Sequence, residues 1–168
     1  FIGNFMQTLG YTNQQSVIVS SIILVVMMIV FPISAYISDR VGRRPVLICG
    51  IILLILLIYP IFICLGSMNF ALAIISQILF AGIIAIYMGP IPTILVEIFP
   101  TSVRFTGVAL SYNLAASIFG GTAPMVAMLL TKMTGDNYAI SYYLIALALV
   151  SSIILKFYKE TYKKNLVS

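Results

Sequence analysis

The sequence predicts an all-α membrane protein. Of its 168 residues, 62% are apolar and 8% are charged, whereas about a quarter of the residues in an average soluble protein are charged. The apolar residues also form runs of the length that a helix needs to cross a bilayer, which is about 20 residues. A chain of this composition lacks the polar surface of a water-soluble domain, so a lipid bilayer is its predicted environment.

Five segments meet the length requirement, and each is free of charge except at its ends. The predicted spans are approximately 16–38, 46–65, 70–96, 106–131 and 138–158. Short loops connect them, so we expect the spans to alternate up and down through the membrane as one bundle. The chain starts at Phe1 without a leader-like pattern. We therefore expect residues 1–10 to be the end of an earlier helix, and the protein to begin further upstream.

The positions of lysine and arginine predict the orientation of the bundle. If five spans alternate, eight of the nine Lys and Arg residues fall on one side, and Lys132 alone falls on the other. Short loops rich in Lys and Arg remain in the cytoplasm. The loops 39–45 and 97–105 and the carboxy-terminal tail 159–168 are therefore predicted to be cytoplasmic.

The sequence argues against an enzyme and against a nucleic-acid partner. It contains no histidine, and no Asp, Glu, Lys or Arg lies in the middle of a predicted span. An intramembrane enzyme would need a catalytic group at that depth. No catalytic residue, cofactor or metal site is predicted, and a net charge of +5 is too small an imbalance to indicate nucleic acid binding.

Two charged loops supply the most specific motifs. The first joins the first two spans and carries four charges in six residues; the second runs from Glu97 to Gly107. The residues predicted to form a cluster between the loops are Asp39, Arg40, Gly42, Arg43, Arg44, Glu97 and Arg104. Glycine permits a tight reversal, and an acidic group at a helix end can pair with a neighbouring arginine. On charge alone, the loops are also explained as positive-inside anchors with a surface counter-charge.

Both loops resemble the major facilitator superfamily. The first is similar to its string G-x-x-x-D-R-x-G-R-R, with Ala35 in place of the first glycine, and the second is similar to E-x-F-P-T-x-x-R-x-T-G. The tail Lys159-Glu160-Thr161 is similar to the P-E-T that closes many members, with lysine in place of proline. The resemblance implies that the charged cluster is a latch, whose strength tunes the balance between two conformations.

A narrower resemblance comes from Tyr87-Met88-Gly89-Pro90-x-Pro92 and Phe119-Gly120-Gly121-Thr122-Ala123-Pro124. These strings are similar to the metabolite:proton symporter family, particularly its proline/betaine transporters. The resemblance would place this chain over the eighth to twelfth spans of a twelve-span protein in the bacterial inner membrane. It implies the carboxy-terminal half of a fold with two six-helix halves, the amino-terminal half being absent here. It also implies alternating access and proton symport of a small osmolyte or organic acid.

Helix-breaking and polar residues in two spans predict a substrate-facing surface. The prolines at 90 and 92 remove backbone donors and leave carbonyls unpaired, and a helix broken at mid-membrane depth is where transporters often bind substrate. The predicted substrate-facing residues are Gln77, Tyr87, Gly89, Pro90, Asn113 and Ser117. Hydrogen bonding between helices, without ligand contact, explains the polar members of this set equally well.

Small residues also recur every four positions at Ala81, Ala85 and Gly89. This spacing lets helix backbones approach closely in lipid, and static packing is its favoured explanation. The acidic residues all fall at the ends of spans, whereas a proton relay needs an ionisable group within the membrane. We therefore expect the coupling carboxylate in the amino-terminal half. The alternatives are a truncated remnant that transports nothing, and a sugar or organic-acid carrier of the same superfamily.

Overall fold

The computed structural model describes residues 2–136 and 138–158 of the chain. Its helices are α1 (Ile2–Thr8), α2 (Asn13–Val41), α3 (Arg43–Gly66), α4 (Phe70–Met88), α5 (Ile91–Ile98), α6 (Arg104–Ala115), α7 (Gly121–Thr134) and α8 (Ala139–Phe157), with a π-turn at Ala116–Gly120 between α6 and α7. Within the described part, five helical stretches are long and apolar enough to cross a membrane. The predicted all-α membrane fold is confirmed. The predicted tail 159–168 lies outside the described residues.

Capping side chains set the starts of two long helices. The Thr12 Oγ1 accepts a hydrogen bond from the Gln15 backbone N–H at 3.2 Å, and the Gln15 Oε1 accepts one from the Thr12 N–H at 3.0 Å. At the start of α4, the Asn69 Oδ1 accepts from the N–H groups of Ala71 and Leu72. Each cap satisfies backbone donors that the first turn of a helix leaves unpaired. The starts of α2 and α4 are therefore fixed by hydrogen bonds between residues that are neighbours in the sequence.

Helices α2, α3 and α4 pack on one another, and α8 packs along α3. We call these four helices the packed helices. Met6, Ile58 and Leu65 are completely buried in a cluster that also joins α1 to the packed helices. The Tyr11 hydroxyl donates a hydrogen bond to the Leu65 carbonyl at 2.8 Å, and burial raises the pKa of this hydroxyl. Burial thus favours the protonated hydroxyl, which is the form that donates this hydrogen bond.

The stretch from α6 through the π-turn to α7, which we call the open span, is packed differently. No residue from Arg104 to Gly120 is buried, and in α7 only Ala127 is. The open span contacts α8 through α7, and α6 contacts α5. One long span of the bundle therefore leaves most of its surface uncovered.

Candidate functional site

Arg43 lies at the centre of an ion-pair cluster. Its Nη1 lies 2.6 Å from the Asp39 Oδ1, and its Nη2 donates a hydrogen bond to the Glu97 Oε1 at 3.0 Å. The side chains of Arg43 and Glu97 are 9% and 14% exposed, whereas that of Asp39 is 56% exposed. The contact with Glu97 joins the start of α3 to the end of α5. Because water screens it less, it is the stronger of the two ion pairs.

Gly42 provides the backbone reversal that places Arg43 in this cluster. Helix α2 ends at Val41 and α3 begins at Arg43, so the chain turns at a single residue, whose φ is 112° and ψ is 157°. A side chain is strained at this φ, which explains the need for glycine. The buried Gly42 also donates its N–H to the Ser38 carbonyl at 3.0 Å.

The other cations of the predicted cluster have different neighbours. The Arg40 guanidinium lies 4.5 Å from the centroid of the Tyr36 ring, which is the geometry of a cation–π contact. The Arg104 Nε donates to the Phe99 carbonyl at 3.2 Å and thereby closes the turn between α5 and α6. Arg44 lies in a groove between α3 and α8.

Of the predicted cluster, the structure therefore brings together Asp39, Arg43 and Glu97, with Gly42 shaping the backbone beside them. We call these three charged residues the charge cluster, and the end of the bundle where they lie the charged end. Arg104 forms no ion pair with them among the residues that the structure describes. Among the residues that the structure describes, no three His, Cys, Asp or Glu side chains converge as a metal site would require.

Gly89 and Pro90 separate α4 from α5 within one long span, and we call this break the kink. Both residues keep helical backbone angles, with φ and ψ of −52° and −50° for Gly89 and of −76° and −14° for Pro90. At about 1.5 Å per residue, Gly89 lies about 28 Å from Phe70 but about 12 Å from Glu97. The kink is therefore in the third of the span nearest the charged end, and not at its middle as the sequence analysis expects.

The Ser34 hydroxyl replaces the backbone N–H that is missing at Pro90. Proline has no N–H, so the Ile86 carbonyl four residues earlier loses its usual helical partner. The Ser34 hydroxyl, on α2, donates to this carbonyl at 2.8 Å. Gly89 makes the approach possible, because a Cβ there would lie 2.6 Å from the Ser34 Oγ and 2.9 Å from the Ala35 backbone nitrogen. Ser34 is not among the residues predicted from the sequence, although Pro90 indicates that a donor is needed.

Two more predicted residues of α4 face the interior of the bundle. Tyr87 is half-buried against α3, where a Cβ on Gly50 would lie 2.9 Å from the Tyr87 Cβ. Gln77 is 1% exposed, and its Oε1 has no hydrogen-bond partner among the described residues. An unpaired amide oxygen is costly in an apolar interior. Packing alone therefore does not explain Gln77.

The remaining predicted residues, Asn113 and Ser117, are exposed on the open span. Asn113 lines a shallow depression together with Phe105 and Ala109. Because α6 packs on α5 and not closely on α4, the six predicted substrate-facing residues divide into two groups. Gln77 and Tyr87 lie in α4 and Gly89 and Pro90 directly follow it, whereas the other two lie on an uncovered surface.

Ser117 belongs to the π-turn, which sequence analysis did not predict. The Gly121 N–H bonds to the Ala116 carbonyl, five residues earlier. Pro124 has no N–H for the Gly120 carbonyl, which leaves the helix free to change its hydrogen-bond register there. The available signal was a pair of glycines followed by this proline. Such turns are frequent at functional sites.

Comparison with known proteins agrees with the predicted membrane fold. Residues 2–168 match the family described as sugar (and other) transporter. The chain is 29% identical over 161 residues to the ectoine/proline transporter ProP of Corynebacterium glutamicum, which covers 96% of this chain and 32% of that protein. It is 30% identical over 158 residues to the proline/betaine transporter of Escherichia coli, covering 94% and 31%. It is 32% identical over 142 residues to the citrate-proton symporter of Salmonella typhi, covering 84% and 33%.

The chain thus spans about one third of the length of these relatives. All three are named as transporters or symporters, which are not enzymes. The predicted resemblance to the major facilitator superfamily and to proline/betaine transporters is confirmed. With five membrane-compatible helices and a family match over nearly its whole length, the chain belongs to the sugar (and other) transporter family of the major facilitator superfamily.

Proposed function

We propose that this chain forms the carboxy-terminal half of a proton-coupled transporter that carries a small osmolyte or organic acid, such as proline or betaine, by alternating access. The contact between Arg43 and Glu97 is the observation that carries the proposal, because it ties the start of one span to the end of another. The substrate class is supported by the relatives, which are named for ectoine, proline, betaine and citrate.

The charge cluster is the latch of this mechanism. Opening the charged end requires α5 to move away from the start of α3, which separates Glu97 from Arg43. Asp39 lies on α2 and stays beside Arg43, so the cation keeps a partner while the latch is open. The shielded ion pair stabilises the closed state, and its loss shifts the population towards the open one.

The charged end faces the cytoplasm of a bacterium in this proposal. Arg40, Arg43, Arg44, Arg104 and Lys156 all lie at that end of the described helices, whereas Lys132 lies at the other. This distribution follows the positive-inside rule for an inner-membrane protein.

The substrate lies between this chain and an amino-terminal half of six helices. Asn113 and Ser117 face that half from the open span, and Gln77 offers an unpaired amide oxygen from α4. Tyr87 and the Gly89-Pro90 kink set the position of α4 next to this surface. The described carboxylates lie at helix ends, so the group that carries the proton belongs to the amino-terminal half.

Uptake of labelled solute into liposomes tests the proposal. This chain is reconstituted alone, and together with its amino-terminal half, and a pH gradient is imposed while proline, betaine, citrate and a sugar are offered. We expect gradient-driven accumulation of proline or betaine when both halves are present, and none with this chain alone. Asp39→Asn and Glu97→Gln should reduce uptake without changing membrane insertion. Lys132→Gln, at the other end of the bundle, should change neither uptake nor insertion.

The possible failures are distinct. If both halves together accumulate no solute, the chain is a remnant that does not transport. Accumulation of the sugar alone would replace the proposed substrate class. Gradient-driven uptake by this chain alone would contradict the placement of the proton carrier, unless crosslinking reveals that two copies form the cavity. Normal uptake by Asp39→Asn and Glu97→Gln would reduce the charge cluster to a membrane anchor.

A further inference from the structure

A groove of about 440 Å³ runs between α3 and α8 on the outside of the bundle. Its apolar sides include Ile48, Ile52 and Ile55, while Arg44 and Lys156 lie at the charged end of the groove. The two cations come from the first turn of α3 and the last turn of α8. A polar end and an apolar length thus belong to one cavity.

The packed helices hold this groove in shape. Ile51 and Leu155 form its floor and belong to the buried cluster that joins α3 to α8, with exposures of 5% and 8%. Ile48 and Ile52 form its rim and are 41% and 49% exposed. The groove therefore has a fixed base and opens towards the surrounding bilayer.

The length of the groove matches one leaflet of a membrane. Eleven residues separate Arg44 from Ile55, which is about 16 Å along a helix at 1.5 Å per residue. Half of the hydrocarbon layer is about 15 Å thick. A molecule that fits this groove carries negative charge at the membrane surface and an apolar chain that reaches the middle of the bilayer.

We infer that the groove binds an anionic phospholipid, with its phosphate between Arg44 and Lys156 and an acyl chain along the isoleucines. Ser152 also lines the groove, but its hydroxyl proton is donated to the Leu149 carbonyl at 2.7 Å, so the two cations supply the recognition. Basic pockets between transmembrane helices bind anionic headgroups in this way. The site lies outside the proposed transport path and does not depend on the proposed function.

A second apolar groove provides an internal control. It lies between α2 and α3, has a volume of about 410 Å³, and is lined by residues that include Ile33, Ile37 and Cys49 but no cation. Ile33 is 51% exposed, as Ile52 is 49% exposed in the first groove. Apolar shape alone would give both grooves the same lipid preference.

Quenching of a single tryptophan by brominated lipid tests the inference, because the chain has no natural tryptophan. Ile52→Trp reports on the first groove and Ile33→Trp on the second. Each variant is reconstituted in phosphatidylcholine vesicles that contain a small fraction of brominated phosphatidylglycerol or of brominated phosphatidylcholine. At Ile52→Trp we expect the anionic lipid to bind at least about fivefold better, which is the contribution of one cation near a membrane surface. At Ile33→Trp we expect no preference.

Charge variants complete the test. Arg44→Gln with Lys156→Gln should abolish the preference at Ile52→Trp, whereas Arg44→Lys and the distant Lys132→Gln should preserve it. Far-UV circular dichroism checks the helix content. If the double variant misfolds, Lys156→Gln alone tests the inference, and it should reduce the preference for the anionic lipid at Ile52→Trp by about fivefold. Equal quenching by the two lipids, or a preference that survives removal of the cations, would overturn the inference. Displacement by inorganic phosphate at constant ionic strength would also overturn it, by revealing a simple anion site.

Discussion

Two spans of this protein contain glycine beside or near a helix-breaking proline. One span keeps helical backbone angles at the proline, whereas the other forms a π-turn before it. At Gly89-Pro90 the glycine lies against α2, and Ser34 donates to the carbonyl that the proline leaves unpaired. At Gly120 and Gly121, an added Cβ would meet nothing within 4 Å. There the helix passes through a π-turn before Pro124.

The two breaks differ in what surrounds them. A side-chain donor from another helix turns the lost backbone bond into a rigid joint, which keeps helical angles. In the open span, an added Cβ at Gly120 or Gly121 would meet no neighbour, and the hydrogen-bond register changes to a π-turn instead. In the transport mechanism that we propose, the first kind of break can transmit movement between α2 and α4, and the second can adapt to a substrate or to the other half.

The largest effect should come from filling the covered glycine. Gly89→Ala places a Cβ 2.6 Å from the Ser34 Oγ and 2.7 Å from its Cβ, so α2 and α4 must separate. We expect the free energy of unfolding to fall by about 3 kcal/mol, at the upper end of overpacking effects. Titration with SDS in mixed micelles, followed by circular dichroism, measures this change.

Gly82→Ala is the matched control for that experiment, because Gly82 lies in the same span as Gly89 and a Cβ there has no neighbour within 4 Å. We expect it to stabilise the helix by up to about 1 kcal/mol, the difference in propensity between glycine and alanine. Equal effects of the two substitutions would show that α2 and α4 are not closely packed at the kink.

The charge cluster permits a second comparison, between a shielded and an exposed partner of the same arginine. Glu97→Gln should lower the free energy of unfolding by about 2 kcal/mol, since it removes a charged hydrogen-bond acceptor from a buried guanidinium. Asp39→Asn should cost less than about 1 kcal/mol, because the Asp39 side chain is 56% exposed. The same SDS titration at low and high salt checks both values. The order would be reversed if Asp39 were the main partner of Arg43, and salt would then weaken the larger effect.

The rigid joint can be tested by removing the serine and the proline in turn. Ser34→Ala leaves the Ile86 carbonyl without a donor and should cost about 1 kcal/mol. Pro90→Ala restores the backbone N–H, so Ser34→Ala should cost much less in that background. A double-mutant cycle measures this coupling. Additive costs would mean that Ser34 stabilises the contact by packing and not by replacing the lost donor.

The sequence was sufficient to predict the membrane fold and to locate the charged motifs, because both depend on composition and spacing. It could not select the centre of the charge cluster. Arg43 and Arg44 are adjacent in the sequence, yet a step of about 100° around a helix with 3.6 residues per turn turns one towards Glu97 and the other towards α8. That choice depends on where the neighbouring helices lie, which a single sequence does not state.

The two proline sites show the same limit. The prolines at 90 and 92 predict a break in one span, but the π-turn before Pro124 is not predicted. The first break has a donor from Ser34 on α2, and the second lies on an uncovered surface, and neither neighbour can be read from the sequence. Gly89 is residue 20 of the 29 in the span Phe70–Ile98, so it lies nearer the charged end than the middle of that span.

The smallest effect should come from the open span. Asn113 and Ser117 are exposed and lie on a stretch without a buried residue, so Asn113→Ala and Ser117→Ala should change the free energy of unfolding of this chain by less than about 0.5 kcal/mol. The same SDS titration measures it, with Ser34→Ala as the matched removal of a polar side chain from a covered position. A loss above about 1 kcal/mol would mean that these polar groups are buried by a contact within the chain. The open span would then be part of the scaffold, and not a surface available to a substrate.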